Sequence, residues 1–181
     1  MIDSREVIET NEMIDKENLD VRTITIGISL LDCHSGNLEE LNNSIYEKIT
    51  KVAEHLDEAA SKIESQFGIP IVNRRISVTP ISIVGAGVCK TSEDYVTIAK
   101  TLDKAATEVG ANLIGGYSAL VSKGMTESDE MLIKSIPEAL TSTERVCSSV
   151  NLGSTTTGIN MDAVRLMGQI LLTIAEKSKD R

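Results

Sequence analysis

Strand-like and helix-like periods alternate along this chain, and no two strand-like runs follow one another directly. From Val21 to Leu31 the period is two. Ile24, Ile26, Ile28 and Leu30 share one face, and Thr23, Thr25, Gly27 and Ser29 share the other. From about Leu38 to Phe67 the period is three to four, through Leu41, Ile45, Ile49, Val52, Leu56, Ala60, Ile63 and Phe67, with Glu and Lys left outside. Gly68 stops this helix and Pro70 blocks its continuation. A second strand covers Ile71 to about Thr79, with Ile76 and Val78 inward and Arg75, Ser77 and Thr79 on the alternate face. Pro80 closes it, and a loop runs from Ile81 to Lys90. Thr91-Ser92-Glu93-Asp94 has the form of a capping box and opens a helix that Gly110 ends after Val109. A short strand, Ala111 to Ile114, empties into Gly115-Gly116-Tyr117-Ser118. A helix from about Asp129 to Leu140 weakens at Pro137. The strand Arg145 to Leu152 and a last helix from about Met161 to Lys177 complete the pattern. That helix carries Val164, Met167, Leu171 and Ile174 as its apolar side. A looser amphipathic helix over Ser4 to about Lys16 precedes all of this.

A helix between every pair of strands calls for parallel strands joined by right-handed crossovers. The expected fold class is α/β, an α(βα)4 order with a mainly parallel sheet, in one domain over residues 1–181. No linker or repeat divides the chain. Four parallel strands make a small sheet with two open edges.

With one Phe, three Tyr and no Trp, the core must be built from Ile, Leu, Val, Ala and Met. Few aromatic platforms are left for stacking bases, and a net charge of −9 opposes phosphate backbones, so nucleic acid is not an expected partner. No apolar stretch approaches a membrane span or a signal peptide. Three widely spaced cysteines, Cys33, Cys89 and Cys147, suggest neither a disulfide framework nor a metal motif, and point to a reducing cytoplasm. Zinc held by Cys33, His34 and Cys147 would lack ligand-like spacing, so no metal is expected. Cys147, inside a strand, reads as core, and Cys89 as an incidental loop residue.

In parallel α/β folds the loops after the strand C-termini gather at one end, where ligands bind. Asp32 is there as a candidate acid or base and Cys33 as a conditional nucleophile, although adjacent side chains rarely aim at one point. Thr79, Gly115, Gly116, Ser118, Ser149 and Asn151 are candidate ligand-binding residues at the other strand ends. The turn Gly153-Ser154-Thr155-Thr156-Thr157-Gly158 and the following Asn160 lead into the last helix. They read equally as an anion-binding nest and as ordinary helix-entry chemistry. Gly115-Gly116 is equally a close approach to ligand and a tight packing point. Arg74 and Arg75 diverge within a strand, and the pair reads equally as one side chain reaching an internal carboxylate or a bound anion and as a solvated edge.

The runs RTITIGISLLDC (Arg22 to Cys33), GIPIVNRRISVTPIS (Gly68 to Ser82), IGGYSALVSKG (Ile114 to Gly124) and VCSSVNLGSTTTGINM (Val146 to Met161) resemble the N-terminal part of an uncharacterised prokaryotic family labelled pyruvate formate-lyase-like. The resemblance implies a portion of a ten-stranded α/β barrel of the glycyl-radical-enzyme type, in a family whose members are much longer. It does not carry the radical reaction over. The C-terminal glycine loop is missing, and Cys147-Ser148-Ser149 lacks the paired cysteines of pyruvate formate-lyase. It further implies a small ACT-domain protein as a partner. The resulting expectation is a site for a small polar or anionic metabolite at the strand C-terminal ends, with or without catalysis. The alternative is a non-catalytic regulatory protein acting with the ACT-domain partner. No cofactor is identifiable, and an unclosed half-sheet should drive homo-oligomerisation.

Overall fold

The computed structural model describes residues 4–16, 23–33, 35–68 and 70–179. In chain order the elements are α1 (Ser4–Asp15), β1 (Thr23–Ile28), α2 (Leu38–Val52), α3 (Leu56–Phe67), β2 (Asn73–Val78), α4 (Ile81–Val84), α5 (Ser92–Glu108), β3 (Leu113–Leu120), α6 (Glu127–Ser142), β4 (Val146–Asn151), β5 (Gly153–Ser154), β6 (Gly158–Ile159) and α7 (Met161–Lys177). β1 to β4 form one sheet in sequential order, every pair parallel, as the alternation of periods requires.

Crossovers of one hand in a sequentially ordered sheet leave their helices on one face. The packing agrees: α2 lies against α5, α5 against α6 and α6 against α7, while α5 and α6 rest on β3 and β4. Beneath this layer Ile28, Ile76, Val78, Ile114 and Val146 are buried. On the opposite face Thr25, Gly27, Arg75, Ser77, Cys147 and Ser149 are exposed. The core is aliphatic, as composition requires, with Tyr95 and Tyr117 its two fully buried aromatics. Their hydroxyls are not wasted. Ser128 Oγ donates to the Ser82 carbonyl at 2.6 Å, so Tyr95 must donate to Ser128, also at 2.6 Å. Tyr117 and Ser135 form a second such pair. Burial pushes the Tyr95 phenol up to about 12 and raises that of Tyr117 as well, so both stay protonated donors.

Several elements differ from their sequence expectation, each for a local reason. The expected helix over Leu38–Phe67 is two helices, broken at Ala53 to His55. The break lets α3 run along β2, where Asp57 and Glu64 pair with Arg74. The loop after Pro80 contains the single turn α4, which buries Ile81 and Ser82. β3 does not stop at Ile114 but continues through both glycines to Leu120, because Gly116 (φ +117°) absorbs a bulge between Gly115 and Tyr117. α6 begins earlier, at a capping box formed by Thr126 and Asp129, and passes through Pro137 to Ser142. The Thr141 hydroxyl then donates to the Pro137 carbonyl at 2.7 Å. The capping box at Thr91 and Asp94 stands as read from the sequence, and Gly68 and Gly110, expected as helix stops, both adopt a left-handed backbone. On α7 the apolar side is displaced: Ala163 and Ile170 are buried while Leu171 is exposed.

Candidate functional site

Strand parity and register make one row across the bare face of the sheet low, and we call that row the trough. One row across all four strands reads Gly27, Ser77, Gly115, Cys147. Two of these positions have no side chain and the others carry only a hydroxymethyl or a thiol, so the row lies close to the backbone. The preceding row is Thr25, Arg75, Leu113. Toward the strand C-termini follow the pairs Ser118 with Ser149 and Leu120 with Asn151. Strands ~4.8 Å apart put the outer members of a four-strand row ~15 Å from each other. The trough therefore has the width of a small metabolite. Of the two arginines, Arg74 is committed to Asp57 and Glu64. Arg75 is exposed on the bare face and has no ion-pair partner among the described residues. Cys147 is the exposed thiol, whereas Cys33 and Cys89 are buried. This reverses the expectation that Cys147 belongs to the core. Burial pushes the Cys89 thiol up to about 12, leaving it a protonated core group.

The sequence-nominated residues fall into two groups. Ser149, Asn151 and Gly115 line the trough. Ser118 shares its row, although its hydroxyl turns back to the Gly116 carbonyl at 3.2 Å. The others hold the scaffold. Thr79 accepts from the Leu30 N–H at 3.0 Å, tying the end of β1 to that of β2. Gly116 is a packing point, since a Cβ there would lie 2.5 Å from the Val78 carbonyl oxygen. Gly153 and Ser154 belong to the β5–β6 hairpin rather than to a loop feeding straight into a helix. The Ser154 hydroxyl is taken up by Thr157 and Thr156, with Thr155 at the exposed tip. Asn160 caps α7 by accepting from the Ala163 N–H and donates to the Val121 carbonyl at 2.8 Å.

Asp32 and Cys33 are neighbours in sequence that face different surroundings. Asp32 is exposed and bonded to Lys48. That bond, helped by its own backbone N–H, holds the Asp32 carboxyl below its ordinary range and keeps it ionised. Replacing Lys48 by methionine should return the Asp32 carboxyl toward its ordinary value, read by NMR titration of the side chain. A depressed folded-state value means that this contribution to stability exists above the unfolded value and is lost as pH falls through the folded one. Cys33 is buried against α2, with its Sγ 3.8 Å from the Ser44 carbonyl. His34, of the zinc set that the sequence spacing disfavours, lies outside the described residues. Among the described residues no cluster of three or more His, Cys, Asp or Glu is placed to hold a metal, and no helix is long and apolar enough to cross a membrane. A small apolar notch at the strand ends is lined by Leu30, Leu31, Ile83 and Val84.

The positions not read as site residues from the sequence are Ser77 and Cys147, together with Thr25 and Gly27, while Arg75 reads there only as one of two arginines that can reach an anion. The signal was available in the period-two alternation, which sets Arg75 and Ser77 opposite Ile76 and Val78 and sets Cys147 opposite Val146 and Val150, and the burial along β2 and β4 follows it.

Comparison with known proteins matches residues 12–181 to the family described as "Uncharacterised ACR (DUF711)". The chain is 70% identical over all its 181 residues to a UPF0210 protein of Lachnoclostridium phytofermentans, which it covers to 40%. It is 65% identical over the same length to a UPF0210 protein of Methanocorpusculum labreanum, again 40% of that protein. It is 60% identical over 180 residues to one of Bifidobacterium longum, covering 99% of this chain and 40% of the relative. The chain thus spans about two-fifths of the length of the curated relatives it matches. With a family model covering nearly its whole length and such close relatives, the chain belongs to the uncharacterised DUF711 family.

Proposed function

We propose that the bare face of the sheet is one wall of a binding site for a small polar or anionic metabolite, open toward the strand C-terminal ends. The observation that carries this reading is the row Gly27–Ser77–Gly115–Cys147, with Arg75 beside it. Small side chains let a ligand approach the backbone, hydroxyls and the Asn151 amide supply directed hydrogen bonds, and one guanidinium supplies charge. Parallel sheets are ordinarily covered on both faces by apolar contacts, so a polar, small-residue face is an unusual surface. It suits the inner wall of a barrel of the glycyl-radical-enzyme type, completed by further chain. Three free thiols suit a reducing cytoplasm.

Binding has more support than catalysis. Asp32 is ionised and bonded to Lys48, and Cys33 is buried, so neither faces the trough as an acid or a nucleophile. The test is ligand-observed NMR with a panel of small carboxylates and phosphates. We expect binding by at least one class, weakened at least tenfold by Arg75→Met while the fold is unchanged. Saturable binding that Arg75→Met and Ser149→Ala leave intact, or no binding by any member, overturns the reading.

A further inference from the structure

In a parallel sheet each crossover helix starts at the C-terminal end of its strand. The N-termini of α2, α5, α6 and α7 therefore gather at the end where the proposed site opens. Helix N-termini are where α/β folds ordinarily hold phosphate, because free N–H groups and the helix dipole favour an anion. Here the chain's own side chains meet each of these four. Thr91 with Asp94 and Thr126 with Asp129 form reciprocal capping boxes on α5 and α6. The Asn37 and Asn160 side chains accept from the first turns of α2 and α7. Every one of these first turns also carries a carboxylate, from Glu39 on α2 to Asp162 on α7, and α6 adds Glu127 to Asp129. Lys90 and Lys123, in the loops before α5 and α6, are fewer than these acids. The open end of the site has an acidic rim.

Behind that rim the bare face offers the Arg75 guanidinium, two residues before Ser77 on β2 and without an ion-pair partner among the described residues. One guanidinium neutralises one carboxylate and matches it in a two-pronged hydrogen bond. A phosphate monoester carries about −1.5 to −2 at pH 7, so much of its charge would stay uncompensated and face the acids of the rim. We infer that the site takes a small monocarboxylate and turns away phosphorylated metabolites of the same size. This rests on the reading of the bare face as a binding wall. The Ser77 and Ser149 hydroxyls and the Asn151 amide complement a hydroxyl or carbonyl on the acid's short chain.

The test is a titration at pH 7 and low salt, read by ligand-observed NMR. The probes are glycolate, lactate and 3-hydroxybutyrate on one side, inorganic phosphate and glycerol 3-phosphate on the other. At least one carboxylate should bind at least tenfold more tightly than either phosphate, and Arg75→Met should remove that advantage. Raising the salt to ~1 M should narrow the gap, since the screening length falls to ~3 Å. Glu93 and Glu127 are exposed acids of the rim. Replacing both by glutamine should tighten glycerol 3-phosphate at least threefold and leave the carboxylate within twofold. A phosphate that binds as tightly as the carboxylates, and through Arg75, overturns the inference and leaves the site standing. A carboxylate preference that neither salt nor the double variant changes also overturns it, because size rather than rim charge would then select. No binding by any probe overturns the site itself, and the inference with it.

Discussion

Gly116→Ala is expected to destabilise the chain by ~3 kcal/mol or more, the combined scale of a strained positive φ and of an overpacked contact. The backbone is at φ +117°, and a Cβ there would sit 2.5 Å from both the Val78 carbonyl oxygen and its Cγ2 atom. Neither side can give. The carbonyl belongs to the neighbouring strand, and Val78 is itself buried against the helix layer. The matched control is Gly115→Ala, where the new Cβ would lie 4.0 Å from the Ile76 carbonyl oxygen and meet nothing closer. That change should alter stability by less than ~1 kcal/mol, the scale of ordinary surface substitutions. Urea unfolding of both variants separates the two glycines. A large loss at Gly115, or none at Gly116, would mean that the bulge in β3 is placed wrongly.

The second large effect lies in the helix layer. Leu102 is fully buried on α5, the helix between α2 and α6. Leu102→Ala should cost ~2–5 kcal/mol, the transfer and cavity terms together. Leu172→Ala on the outer side of α7 should stay within ~0.5 kcal/mol, since that side chain is mostly exposed. The contrast tests which side of each helix the fold uses. Equal losses at the two leucines would show that the outer face of α7 is already covered in this chain.

Periodicity made most of the fold legible. A switch from period two to period three or four marks each strand and crossover helix, and parallel pairing follows from that alternation, whereas the sequential order of the strands does not. The breaks and bulges were not legible, because they answer to tertiary contacts. The α2–α3 break serves Arg74, and the continuation of β3 depends on a close approach to Val78. At the site, the strand-end rule selected hydroxyls by position and gave equal weight to those that face open surface and those that cap or tie. Thr79, Ser154 and Asn160 turned out to be bonded within the scaffold. Strand parity was the better guide. It places Arg75, Ser77 and Cys147 on one face with Ser149 and Asn151, and it distinguishes Arg74 from Arg75 although the two are adjacent.

The measurement that tests the one-sided sheet most directly is the reaction of the native protein with a small thiol reagent, followed by the same reaction in denaturant. Cys147 stands on the bare face, and Cys33 and Cys89 lie beneath the helices. One equivalent should react rapidly in the native state and be assigned to Cys147 by peptide mapping, with all three reacting once the chain is unfolded. No rapid reaction at Cys147, or equal reaction at Cys33 and Cys89, would contradict a sheet that is covered on one face and bare on the other.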